Sequence, residues 1–64
     1  MTVRALRRAK EISQESMAKM LGVAVGTYQN WEKEPEKITI SNAVKIASIL
    51  GVSMNEIEFT NEEQ

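Results

Sequence analysis

The chain has 64 residues, with eight Lys or Arg against nine Glu, no Asp, no His and no Cys, for a formal net charge of −1 at pH 7. This set excludes a disulfide staple, a thiolate nucleophile, an imidazole base and a zinc site, and the negative balance argues against tight nonspecific binding to nucleic acid. The length fits one domain with one small core, burying roughly 60% of the unfolded chain's surface, and the 42% hydrophobic content is enough for a fold rather than disorder.

Without staples, a fold this small must rest on well-packed helices or on self-association. Residues 1–10 are basic without a long apolar run, so neither a signal peptide nor a membrane span is expected, and a soluble, cytoplasmic chain is. Charge is uneven along the chain. Residues 1–33 hold six basic residues against three Glu, a net of +3, and residues 34–64 hold two against six, a net of −4. Such a basic front suits a polyanion partner, although ordinary solvated helix faces give the same count.

Punctuation predicts five short helical segments. Thr2 caps the first, in which Val3, Leu6 and Ala9 share a side. Ser13 caps the second, with Ile12 and Met17 at the spacing of a hydrophobic staple, Met17, Ala18 and Leu21 as its apolar stripe, and Gly22 as its terminator. The third runs from about Val25 to Lys33, and Pro35 ends it by disfavouring helix at Glu34. The fourth begins near Thr39 and stops at Gly51; Ile40, Ala43, Val44, Ala47 and Leu50 form its predicted inward stripe, turning Ile46 and Ile49 partly away. Ser53 and Glu56 read as the capping box of a short fifth helix flanked by Val52 and Ile57. The expected organisation is all-α: one domain over residues 1–59 and a polar, acidic tail over 60–64.

Residues 13–33 carry the functional signal. Two short helices joined by Gly22, Val23 and Ala24 make a helix-turn-helix candidate. The second has an inward face (Tyr28, Trp31) and an outward face (Val25, Gln29, Lys33, with Gly26, Thr27 and Asn30 beside it) that is polar and free of acid. Amides can make paired hydrogen bonds to adenine, hydroxyls bond several base edges, and Val25 can pack on a thymine methyl. A solvated helix face remains the alternative on pattern alone.

Leu6-Arg7, Ile12-Ser13-Gln14-Glu15, Ala18, Leu21-Gly22-Val23, Trp31-Glu32 and Leu50-Gly51-Val52-Ser53, taken in order, resemble the helix-turn-helix family of phage Cro proteins and lambda-type repressors. The likeness spans about residues 3–59. It implies a compact five-helix fold whose third helix enters the major groove of double-stranded DNA, in a bacterial cytoplasm or nucleoid. It also implies roles. Gln14 braces the DNA backbone and supports the recognition helix. Val25, Gly26, Thr27, Gln29 and Asn30 lie at that helix's front, and Lys33, Lys37 and Asn42 follow phosphates. Arg7 and Glu32 form a partly buried ion pair that belongs to the scaffold.

The chain departs from the family pattern in three places. Ala24 stands where many relatives have a capping Ser or Thr, Gly26 offers no side chain to a base, and Glu34-Pro35-Glu36 sets two acids near the expected phosphates. In the resembling family the fifth helix supplies much of the dimer surface, and Ile46, Ile49, Met54, Ile57 and Phe59 are the candidates for a weak homodimer. No catalytic residue, cofactor, metal, small-molecule substrate or membrane partner is expected, since no Ser has a suitable base and no cleft can hold paired Glu. Two functions fit: a Cro-like DNA-binding repressor, dimeric on a two-fold operator, or a protein-interaction module on the same fold, such as an antitoxin or a phage regulatory partner.

Overall fold

Three hydroxyl side chains and two glycines set the helix boundaries in the computed structural model, which describes residues 1–59. The tail predicted over 60–64 lies outside the described residues. Helix α1 (Val3–Ala9) begins where Thr2 Oγ1 accepts from the Ala5 amide at 3.1 Å. Helix α2 (Gln14–Leu21) begins where Ser13 Oγ accepts from the Ser16 amide at 3.0 Å, and helix α4 (Ile40–Leu50) where Thr39 Oγ1 faces the Asn42 amide at 3.4 Å. Each hydroxyl satisfies a donor that the first turn leaves without an intrahelical partner. Gly22 and Gly51 end α2 and α4 at φ 74° and 72°, a left-handed conformation that Gly adopts without strain.

Helix α1 ends the same way with a less suitable residue. Glu11 takes φ 59°, donating its amide to the Arg8 carbonyl while Ile12 donates to that of Arg7. Helix α3 (Val25–Lys33) starts at Ala24 with no side-chain cap. Pro35 opens a 3₁₀ turn, Pro35–Lys37, between α3 and α4.

Helix α4 packs on α1 and α2, whereas α3 packs chiefly on α2. One core gathers Val3 and Leu6, then Met17, Ala18 and Leu21, then Tyr28, then Ile46, Ala47 and Leu50. The staple residue Ile12 is half-buried and packs against it. In α1 the inward set is Val3, Leu6 and Arg7, and Ala9, predicted inward, is exposed.

The inward stripe of α4 is likewise rotated from the predicted one. Ala43, Ile46, Ala47 and Leu50 face in, Ile46 completely buried, while Ile40 is 78% and Val44 53% exposed. Seven of this helix's eleven residues are apolar, covering more than half its circumference, so periodicity alone admits either phase. Packing on two neighbours selects the one that buries Ile46.

The fifth helix is absent: residues Met54–Glu56 form a single 3₁₀ turn, and Ser53 makes no side-chain cap. A helix would send the Glu58 amide to the Met54 carbonyl, but Glu58 donates instead to Met1 at 2.8 Å, beside an isolated parallel bridge between Thr2 and Glu58. This pairing ties the segment to the residues that precede α1, and Ile57 is buried in the core. The architecture is therefore all-α, with four α-helices and no strand among the described residues. Of the expected interface residues, Ile46 and Ile57 belong to the monomer core, Ile49 and Phe59 pack partly against it, and Met54 is 37% exposed.

Candidate nucleic-acid interface

Helix α3 buries Tyr28 fully and packs Trp31 partly against the core, and to these apolar contacts it adds polar anchors. Glu32, on its inner side, supplies them. The carboxylate is almost fully enclosed, its side chain 1% exposed, and accepts from Arg7 Nε at 2.6 Å and from Arg7 Nη2 at 3.4 Å. Arg7 Nη1 also donates to the Ile12 carbonyl at 2.7 Å, so one guanidinium ties α1, the α1–α2 turn and α3 together. The structure thus brings Arg7 and Glu32, two of the sequence-predicted residues, together as an ion pair.

Two further groups reach Glu32. Gln14, at the start of α2, donates its side-chain N–H to Oε1 at 2.9 Å, and the exposed Arg4 approaches the same oxygen at 3.7 Å. Burial alone pushes the Glu32 carboxyl up, but the Arg7 guanidinium, with the Tyr28 hydroxyl and Gln14 amide beside it, outweighs burial and holds the group below its ordinary value. The bond to Glu32 raises the Arg7 pKa in turn, against burial. The Tyr28 hydroxyl is enclosed next to this pair without a hydrogen bond of good geometry; burial, then the neighbouring carboxylate, drives its pKa well above the usual value.

The opposite side of α3 faces solvent. Val25, Gly26, Thr27, Gln29, Asn30 and Lys33 are all exposed, and none is acidic. Gln29 reaches back across the turn to donate to Gln14 Oε1 at 3.1 Å. Gln14, Gln29 and Glu32 are thereby brought into one chain of hydrogen bonds, which the sequence did not reveal because 15 and 18 residues separate Gln14 from its partners. Arg4 was likewise missed.

The two outlying candidates are engaged elsewhere. Lys37 pairs with Glu34 at 3.3 Å on the surface, and the half-buried Asn42 donates its side-chain amide to Thr39 Oγ1 at 3.0 Å. Among the described residues no group of His, Cys, Asp or Glu could hold a metal ion, and no helix is long and apolar enough to cross a membrane.

Two short helices crossing at a Gly turn, the second with a buried inner anchor and an acid-free outer face, define a helix-turn-helix unit. The chain belongs to the helix-turn-helix DNA-binding family, whose family model matches residues 3–57. Comparison with curated proteins and with solved structures returns no match.

Proposed function

We propose that this protein is a sequence-specific transcriptional regulator, a Cro-like repressor that binds a two-fold operator in double-stranded DNA as a dimer. The observation that carries the reading is the outer face of α3: six exposed residues without an acid, braced from behind by Gln14 and Glu32. In this reading Gln29, Asn30 and Thr27 address base edges, Val25 packs on a thymine methyl, and Gly26 brings backbone close to the groove. Lys33 and Lys37 bind phosphates.

One subunit offers few contacts, and pairing sets two recognition helices about one helical turn apart. Exposed Ile40, Val44 and Met54 supply apolar surface for that pairing. A protein partner on the same apolar residues is the second reading, and salt separates the two. Phosphate contacts make affinity fall steeply with added salt, whereas an apolar interface changes little. Selection of bound sites from random duplex DNA tests the proposal. An enriched two-fold sequence supports it, and recovery of no preferred sequence overturns it.

A further inference from the structure

We propose that Glu32 is a positioning residue for base readout, fixing through Gln14 which way round the Gln29 amide faces the DNA. The inference rests on the reading of Gln29 as a base-contacting residue. It starts from an asymmetry in hydrogen-bonding capacity: an ionised carboxylate only accepts, whereas a carboxamide carries an acceptor oxygen and a donor NH2 and can turn either way. Glu32 Oε1 at 2.9 Å therefore demands the NH2 of Gln14. That leaves Gln14 Oε1 turned toward Gln29, 3.1 Å from Gln29 Nε2, and it demands an NH2 in turn. The polarity of both amides follows from a charge that Arg7 holds in place through both carboxylate oxygens.

Gln29 is exposed, and one of its N–H groups is committed to Gln14. Its oxygen and second N–H remain for a base edge. An acceptor beside a donor matches adenine, which offers N6–H2 and N7 in the major groove, and mismatches guanine, where O6 would meet the Gln29 oxygen. A Gln29 amide free to turn over would face guanine with its NH2 instead. The relay thus converts a buried scaffold charge into a preference for adenine over guanine.

The test measures, for the full chain, the affinity ratio between adenine and guanine at each pair of the selected site. Gln29→Ala locates the pair that Gln29 reads. Gln14→Met cuts the relay while leaving Arg7 and Glu32 together, and the adenine preference at that pair should fall by about fivefold or more, whatever happens to overall affinity. Glu32→Gln goes further. Arg7 keeps the new side-chain oxygen, the new NH2 meets Gln14, both glutamines turn over, and preference shifts toward guanine. If Glu32→Gln does not fold, Gln14→Met decides alone.

Nuclear magnetic resonance of the free protein gives a readout that a purely structural role would not move. The Gln29 side-chain NH2 should be ordered in the parent and mobile in Gln14→Met. An unchanged adenine preference in Gln14→Met, with Gln29→Ala relaxing that pair, overturns the relay while base reading by Gln29 stands. If Gln29→Ala relaxes no pair, the base-reading role falls and the relay's function with it.

Discussion

Replacing Glu32 by Ala removes the group on which α1, α2 and α3 converge. The carboxylate takes two bonds from Arg7 and one from Gln14, and the Arg7 side chain is itself only 9% exposed. Taking away one partner of a buried pair leaves the other charge desolvated, which costs about 3–5 kcal/mol. The Ile12 carbonyl still accepts from Arg7, which favours the lower end, near 3 kcal/mol. At about 0.05–0.15 kcal/mol per residue a chain of this length has only roughly 3–10 kcal/mol in total. Glu32→Ala should therefore lose a third or more of the stability, read as a lower urea midpoint with an unchanged slope. Replacing both partners, Arg7→Met with Glu32→Leu, should destabilise far less than the single change, because no charge is then stranded. A loss below about 1 kcal/mol for Glu32→Ala, or a double variant worse than the single, would show that no buried charge is left stranded.

Acid should act on the same pair. Because the Glu32 pKa is lowered on folding, its contribution is fully present above the ordinary value of 4.5 and is lost as pH falls through the lowered folded value. Melting temperature should drop in that range, and a Arg7→Met, Glu32→Leu variant with the parent's acid profile would contradict this. Glu34→Gln releases Lys37 from its ion pair and removes an acid near the proposed phosphate contacts, so affinity for all duplexes should rise by about twofold to fivefold in fluorescence anisotropy. No rise, or a rise on one sequence only, counts against the placement of Lys37. Glu11→Asn should stabilise by about 0.5–1 kcal/mol in urea melts, since Asn tolerates the left-handed backbone held here at φ 59°, and a neutral or negative result refutes it. Ile40→Glu with Met54→Glu should leave the fold intact and reduce self-association and operator binding together in sedimentation and binding assays; unchanged association would exclude this surface.

Helix boundaries were legible in the sequence because the chemistry that sets them is local. Thr2, Ser13, Thr39, Gly22 and Gly51 act within one turn of their own positions. The facing of α4 was not legible, since its apolar residues wrap too far round to name a single inward side. Nor was the loss of the fifth helix, which turns on a hydrogen bond between Glu58 and Met1, at the other end of the chain. Local signals at Ser53 and Glu56 were outweighed by that long-range bond and by the burial of Ile57. For the site, the outer face of α3 followed from the composition of one short segment. The ion pair behind it came from family resemblance, and the amide chain through Gln14 depends on how α2 crosses α3, which no spacing encodes.

The outer face of α3 is proposed to enter the major groove of duplex DNA. Titrating the isotopically labelled protein with a duplex carrying the selected site, and following each backbone and side-chain amide, shows which residues the duplex touches. The largest changes are expected at Gly26, Thr27, Gln29, Asn30 and Lys33, with Gln14 following and the buried residues of α4 little affected. Changes concentrated at Ile40, Val44 and Met54, with α3 undisturbed, would contradict that placement of α3.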